Sequence, residues 1–426
     1  MIFLGLGSNQ GERRNNLREA IAKLGQDGFD VLRVSPVFET PAMLGDNAEP
    51  DWLRPYLNCV VECKSDCHPK EGLAAVKRIE SEMGRTPGPK WSPRPIDIDL
   101  LVWNLERIQE PDLCIPHTGI SQRGFVLTPL LHLVPEMAVP GMGGTVFEIS
   151  QDFNCEPLWM GIVNLTPDSF SGDGKFSDPN KLEETLDRFI QEGVQIVDFG
   201  AESTRPNAEP VDPEEEWRRL EPALKLFRSK TQGDPLAPRI SVDSHHWQTI
   251  GKTVDFGIDY INDVGGLSNS EMCAIARENC CDVIAMHSLS VPVNPELKLA
   301  RGESLARGES AVAPVKAWLE KRMEYWSSQD LDLERIIIDP GIGFGKDALQ
   351  SLELLSECQQ IRDWGFRLLV GHSRKSFMKE FSGVVESRDL ETLGISLALS
   401  GNVDIFRVHD PVSHKRAYLA YRHFVE

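Results

Sequence analysis

Apolar residues fall into two rhythms along this chain, short β-branched runs and stretches in which they recur every three to four residues. From Met1 to about Ile149 the runs IFLGL, LNCVVEC and IDIDLLVW have strand character. They alternate with NNLREAIAKL and KEGLAAVKRIESEM, whose spacing predicts amphipathic helices. The pattern predicts a compact α/β unit. A Gly- and Pro-containing passage of weak periodicity, from about Pro140 to Pro157, then predicts a linker. Beyond it come LWMGIVN, VQIVDFG, RISVDS, YINDV, DVIAMHS, RIIIDPG, RLLVGHS and VDIFRVH, each followed by a helical pattern. Eight βα units in about 270 residues predict a closed (β/α)₈ barrel of the TIM type, with an open doubly wound sheet as the alternative.

Each of those eight runs is apolar and then ends in a group that can hydrogen-bond or carry charge. These are Asn164, Glu202 with Thr204, Asp243, Asn262 with Asp263, His287, Asp339, Arg374 with Lys375, and Arg407 with His409. In a barrel such ends converge on one mouth, where active sites of that architecture lie. Taken singly, each has a plainer reading as a helix cap or turn residue, above all Asp263 and Ser373. Eight in register favour the functional reading. The near-repeat LARGESLARGES, Leu299–Ser310, lengthens a loop on the same side and reads as noncatalytic.

Composition narrows the function. Forty-five basic against 65 acidic residues, a net charge of −20, disfavour a nucleic-acid or acidic-membrane binder. No apolar run approaches the roughly 18 residues of a membrane helix, and the start does not read as a signal peptide. A cytoplasmic protein is expected. Nine cysteines without a CxxC pair suggest free thiols; Cys59, Cys63 and Cys67 with His68 straddle a predicted strand and read as buried residues before a zinc site. Gly5 and Gly7 after the first strand suggest a dinucleotide loop, but Gly11 comes one residue late.

In the first half Asp97 and Asp99 stand two apart on a predicted strand, so they share a face and can bracket metal ions. With Arg85, Trp91 and Arg94 before them and His117, Arg123 and Phe125 after, they suggest Mg²⁺-nucleotide chemistry. In the second half Asp243, Asn262 and Asp339 offer acceptors from three strand ends to the edge of a flat, N–H-rich heterocycle. Lys375, expected at the start of a helix, adds a cation; Arg205, Arg407 and His409 suit an anionic phosphate, and Asn164 a hard metal ion.

The segments GIVNLTPDSFSGDG, FGAESTRP, SVDSH, INDVGG, IIIDPGIGFGK, GHSRKSF and RVHDP, in this order from Trp159 to the C-terminus, resemble dihydropteroate synthase. That resemblance implies condensation of 6-hydroxymethyl-7,8-dihydropterin pyrophosphate with p-aminobenzoate, releasing pyrophosphate. It implies a pterin pocket of Asp243, Asn262, Met286, Asp339 and Lys375, with Asp243 and Lys375 catalytic. Pyrophosphate and one Mg²⁺ would meet Asn164, Arg205, Arg407 and His409, while Thr204, Arg205, Pro206, Phe344 and Ser373 would border p-aminobenzoate. The loops TPDSFSGDGKFSD and that of Thr204 and Arg205 suit lids that exclude water.

GLGSNQG, ETPA, YLNCVVE, PRPIDIDLL and IPHTGISQRGF resemble 6-hydroxymethyl-7,8-dihydropterin pyrophosphokinase. This implies a ferredoxin-like α+β fold and pyrophosphoryl transfer from ATP through two Mg²⁺ ions. Asp97 and Asp99 match its metal ligands, with Glu80 nearby; Tyr56, Asn58 and Phe125 match pterin contacts. Arg85, Trp91, Arg94, His117 and Arg123 match groups on ATP, Arg85 and Arg94 among the catalytic ones. Between Arg85 and Trp91 the chain reads TPGPK, with Lys90 its one basic residue where that family often has several. The expected organisation is a kinase domain at 1–150 and a synthase barrel at 157–426, with small-molecule partners only and a homodimer left open. Three rivals are weighed: a synthase carrying a binding module, a different transferase on a pterin-binding barrel, and a non-catalytic scaffold, which the clustering of acceptors and cations at strand ends disfavours.

Overall fold

The computed structural model describes residues 1–42, 49, 52–89, 92–153, 155–166, 178–203, 209–291, 294, 296–299, 310–381 and 388–425. Contacts divide the chain into two units, Met1–Glu156 with Gly233–Ala237, and Pro157–Gln232 with Pro238–Glu426.

The first unit runs Ile2–Ser8 (β1), Arg13–Gln26 (α1), Asp30–Val34 (β2), Phe38–Thr40 (β3), Tyr56–Lys64 (β4), Pro69–Glu82 (α2) and Asp97–Trp103 (β5). A small hairpin of Ile108–Glu110 (β6) and Leu113–Ile115 (β7) follows, then helices Gly124–Leu131 (α3) and Val146–Ser150 (α4). The sheet order β2-β4-β1-β5, with β3 added on β4, is antiparallel and gives the ferredoxin-like arrangement that the resemblance implied. Both sheet faces are covered. Ile2, Leu4, Leu6, Ile98 and Leu100 pack with residues of α1 and α2, whereas Phe3, Val60 and Leu101 pack with Leu127, Leu130 and Leu131 of α3. Alternation along β5 therefore sends Asp97 and Asp99 to the α3 side, with Leu101.

The start of α2 is fixed by a reciprocal cap, in which His68 accepts from Lys70 N while the Glu71 carboxylate accepts from His68 N, with Pro69 in the first turn. One turn in, Gly72 lies flat against the Trp103 ring, which occupies the space a Cβ would need. The passage expected to be a linker is instead built into this unit: Thr145 and Glu148 form a capping box on α4, and Val139, Val146, Phe147 and Cys155 are buried with α3. Its weak periodicity arose from a five-residue helix, too short to show a repeat.

The second unit contains Leu158–Asn164 (β8), Pro179–Gln191 (α5), Ile196–Gly200 (β9), Pro213–Thr231 (α6), Arg239–Asp243 (β10), Trp247–Thr253 (α7), Tyr260–Asp263 (β11) and Ser270–Glu278 (α8). It continues through Asp282–Met286 (β12), Val312–Ser328 (α9), Ile336–Asp339 (β13), Ala348–Ser356 (α10), Cys358–Arg362 (α11), Arg367–Val370 (β14), Asp389–Ala398 (α12), Ile405–Val408 (β15) and Pro411–Val425 (α13). The eight strands are parallel and close on themselves, β15 pairing with β8, so the barrel holds and the open sheet does not.

Period-2 alternation sorts each strand. Val197 and Phe199, Ile240 and Val242, Ile336 and Ile338, Phe406 and Val408 pack into the outer cores under the helices. Asn164, Asp198, Asp243, Asn262, Met286, Asp339 and Arg407 occupy the other register, facing the barrel interior toward its carboxyl end. The opposite end is held by a different set: Arg367 of β14 is sealed off and pairs with Asp282 of β12 at 2.7 Å.

Adding a methyl group at Gly72 forces Trp103 or α2 to move. Gly72→Ala is expected to destabilise the first unit by about 1–3 kcal/mol, read as a lower urea midpoint by tryptophan fluorescence. An unchanged midpoint would contradict the close packing.

Candidate active sites

In the first unit the acid pair sits opposite glycines: Gly7 lies across from Asp97, and Gly5 from Asp99, on β1. Gly7 also pairs with Asn58, whose Oδ1 would lie 2.8 Å from a Cβ there. This accounts for the glycines that suggested a dinucleotide loop. Asn58 is buried and donates from Nδ2 to Thr40 Oγ1 at 2.8 Å. Tyr56 opens the same strand two residues earlier, and burial raises its phenol pKa.

Arg85 bridges two carboxylates, donating from one terminal nitrogen to Glu80 and Asp97. Arg94 reaches the second Asp97 oxygen at 3.2 Å. Glu80 is almost wholly buried; its carboxylate also accepts from Ile98 N at 2.8 Å and pairs with Lys77 at 3.0 Å. Burial, and then the charge of Asp97, hold the Asp99 carboxyl above its ordinary range, against the pull of His117, Lys77 and Arg123. A desolvated Asp99 carboxyl beside the like-charged, partly exposed Asp97 is a site that a hard cation would relieve, and the oxygen donors fit Mg²⁺. His117 caps a 3₁₀ turn at Thr118–Ser121, accepting from Gly119 N at Nδ1, and Arg123 stands 5.8 Å from the Phe125 ring centre. Trp91 and Lys90 lie outside the described residues.

In the barrel, Arg407 spans two carboxylates: Nε donates to Asp198 and a terminal nitrogen to Asp243, each at 2.6 Å. Asp198 is sealed from solvent and also accepts from Ser241 Oγ at 2.5 Å and from Asn262 Nδ2 at 3.4 Å. Burial raises the Asp243 pKa, Arg407 opposes it, and the neighbouring carboxylate of Asp198 adds to the rise. Gly200 lies beside this layer, where a Cβ would make ordinary van der Waals contact, 3.4 Å from that of Asp243 and 3.6 Å from Asn164 Oδ1.

On the facing side Asp339 spends one carboxylate oxygen on Gly341 N at 2.7 Å. The Lys375 ammonium lies 4.1 Å from the centre of the Phe344 ring, a cation–π contact. Ser373 Oγ and His409 Nδ1 are 2.8 Å apart. The helix expected at Lys375 is a 3₁₀ turn, Ser376–Glu380, because Phe377 and Met378 are pinned in the core; it supplies no extended helix dipole. Asp263 takes the plainer role, capping a turn through Gly265 N and Leu267 N at 2.7 and 2.8 Å. Thr204, Arg205 and Pro206 lie outside the described residues, as do 167–177 and 300–309.

Two residues at this site were missed from the sequence. Asp198 was hidden inside the run VQIVDFG, where a lone carboxylate in an apolar strand was the available signal. Lys346 is buried and donates to His287 Nδ1 at 2.8 Å and to the carbonyls of His287 and Phe344 at 3.1 Å. Burial lowers its pKa to about 7, and that of His287 to about 3, with Lys346 adding to the latter.

A family model described as 7,8-dihydro-6-hydroxymethylpterin-pyrophosphokinase matches residues 3–135, and one described as pterin binding enzyme matches 160–409. The folate synthesis bifunctional protein of Chlamydia caviae is 34% identical over 440 residues, covering 98% of this chain and 97% of its own. The chain belongs to the bifunctional folate synthesis proteins. Among solved structures, dihydropteroate synthase from Anaplasma phagocytophilum with bound 6-hydroxymethylpterin-monophosphate is similar to 63% of this chain and 100% of its own. Its TM-score is 0.55 and its identity 29%. A Plasmodium falciparum HPPK-DHPS mutant with pteroate covers 100% of this chain and 95% of its own at TM-score 0.55; at 20% identity it shows the fold alone. As a bifunctional folate synthesis protein, the chain is a transferase of two reactions, pyrophosphoryl transfer from ATP to 6-hydroxymethyl-7,8-dihydropterin and condensation of that product with p-aminobenzoate. Pyrophosphokinases of the first family use ATP and Mg²⁺. No described helix is long and apolar enough to cross a membrane.

The buried lysine gives a pH signature. In the unfolded chain its amine holds a proton up to the ordinary 10.5, whereas the folded barrel releases it near 7. Between those values the unfolded state binds more protons, so this lysine makes stability rise with pH, by up to about 1.4 kcal/mol per unit. Urea unfolding at pH 7 and pH 9 is expected to show a positive slope that Lys346→Met reduces; equal slopes would place the amine's titration elsewhere.

Proposed function

We propose that the kinase lies within residues 1–150 and the synthase within 157–426, acting in sequence in the cytoplasm. What supports this reading above all is the inward layer at the barrel's carboxyl end, where acceptors and cations from separate strands face one another. Asp243, Asn262, Asp339 and Lys375, with Met286 at its side, hold the pterin. Asp243 stabilises the positive charge that the ring gains as pyrophosphate departs. The amine of p-aminobenzoate forms the new C–N bond as the C–O bond to pyrophosphate breaks, then loses a proton. Arg407 and His409 with Arg205 receive the departing anion; Thr204, Arg205, Pro206, Phe344 and Ser373 border p-aminobenzoate. Asn164 offers an amide oxygen for one Mg²⁺.

In the kinase, Asp97 and Asp99 hold two Mg²⁺ ions with ATP, and the ions supply neutralisation of the triphosphate charge. Arg85, Trp91, Arg94, His117 and Arg123 contact ATP, while Tyr56, Asn58 and Phe125 contact the pterin. Releasing Asp97 for this work requires Arg85 to turn toward phosphate, with Glu80 keeping the guanidinium in reach. Small-molecule substrates suffice as partners, and a homodimer is compatible with the reading.

Purified chain supplied with hydroxymethyl-dihydropterin, ATP, Mg²⁺ and p-aminobenzoate is expected to form dihydropteroate, as it is when given the pyrophosphorylated pterin. Product from the second mixture alone would refute the kinase. Asp97→Ala is expected to reduce ATP turnover at least about 100-fold, the scale of losing one group that stabilises developing charge, and to spare the synthase. Lys375→Ala is expected to weaken the synthase by a similar factor and spare the kinase. Retained ATP turnover in the first variant, or unchanged pterin use in the second, would show these sites to be misplaced.

A further inference from the structure

We propose that Glu202, His245 and His246 bind a first-row transition metal ion, Zn²⁺ foremost, just beyond the carboxyl ends of β9 and β10. Glu202 follows β9 by two residues, and the histidine pair follows Asp243 in the turn that leads into α7. Their donor atoms lie within 4.8 Å of one another. Glu202 Oε2 stands 3.5 Å from His245 Nδ1 and 3.3 Å from His246 Nε2. Metal–ligand bonds of about 2.0–2.2 Å place neighbouring ligands of a tetrahedral ion about 3–3.5 Å apart. A small contraction of the turn closes the set, and the two rings already lie with centres 4.0 Å apart.

The carboxylate is the second, independent sign. The Glu202 side chain is 5% exposed, and its Oε1 accepts from Val211 N at 3.1 Å. Its Oε2 is buried, aimed at the two rings, and accepts no hydrogen bond among the described residues. A buried carboxylate oxygen without a donor is costly, and a cation resolves it. Burial first, and then His246, lower the His245 pKa, against the pull of Glu202; a neutral imidazole is the form that ligates metal.

The surroundings hold the ligands in place. His246 N donates to Ser244 Oγ at 3.1 Å, and Ser244 Oγ to the buried Glu216 at 2.8 Å, which fixes the turn from below. Without an ion, His246 Nε2 lies 3.1 Å from the Val211 carbonyl and donates to it. On binding, that proton moves to Nδ1 and the carbonyl oxygen remains beside the site. Two imidazole nitrogens and one carboxylate favour Zn²⁺ over Mg²⁺, whose preference for oxygen is met by Asp97, Asp99 and Asn164. Three protein ligands also leave a coordination position open.

The test uses the full chain in excess Mg²⁺, titrated with Zn²⁺ by calorimetry and with Co²⁺ by visible absorption. One equivalent of either ion is expected, with the bands of a nitrogen- and oxygen-ligated, low-coordinate cobalt site and no thiolate charge transfer. Removing a partner of a metal ligand typically costs about 10–100-fold in affinity, so His245→Ala, His246→Ala and Glu202→Gln should each cost at least that much. Near-ultraviolet circular dichroism checks folding, and His245→Gln and His246→Gln replace any alanine variant that unfolds. Binding that survives these variants, that disappears instead on thiol alkylation or in Asp97→Asn, or that is absent from the wild-type chain would overturn the proposal.

Discussion

One guanidinium organises the barrel's working end. Arg407 reaches from β15 past β8 to Asp198 on β9 and Asp243 on β10, joining three strands through charge-assisted bonds in the interior. Removing a cation and two carboxylates from water is expensive, and replacing such a group with apolar side chains would often be neutral or stabilising. Its retention here therefore signifies position more than stability. Asp198 orients Ser241 and the amide of Asn262, so the arginine indirectly fixes the group that would face a pterin edge.

A similar logic operates in the first unit. Arg85 lies between Glu80 and Asp97, and Glu80 is itself locked by Ile98 N and Lys77. In both sites a carboxylate assigned to substrate or metal is compensated in advance by an arginine of the chain, and a second, more buried carboxylate retains that arginine. Such an arrangement keeps the acid ionisable and aimed while limiting the reorganisation that binding demands. The contrast lies in exposure: Arg407 is bound to a wholly buried acid, while the Asp97 side chain is about a quarter exposed, at 28%, and is open to exchange with solvent and ions.

Much of this was legible because strands announce themselves twice, by apolar runs and by a two-residue period. Asp97 and Asp99 had to share a face once IDIDLLVW was a strand, and the polar ends of the eight later runs had to converge once the barrel closed. Other features depend on neighbours distant in sequence. Nothing local distinguishes Asp263, which caps a turn, from Asp243, which faces the interior, except register against the outer core. Lys346 read as one letter of a glycine-rich segment; only the fold shows its amine enclosed by His287 and Phe344. The passage before Pro157 looked like a linker because α4 is shorter than the window needed to detect a helix, and Lys375 looked like a helix start because a 3₁₀ turn begins with the same residues.

The closure of the barrel also sets an order of assembly. β15 pairs with β8 through residues about 250 positions apart, a long-range contact of the kind that slows folding. A ribosome releases β8, β9 and β10 long before Arg407 is made, so Asp198 and Asp243 exist for most of synthesis without their cation. Until then the sheet has two open edges, and its incipient interior contains carboxylates that favour water over burial. The late arginine thus completes the charge balance and the hydrogen-bonded ring in one event, which couples the inward layer at the barrel's carboxyl end to the synthesis of its last strand.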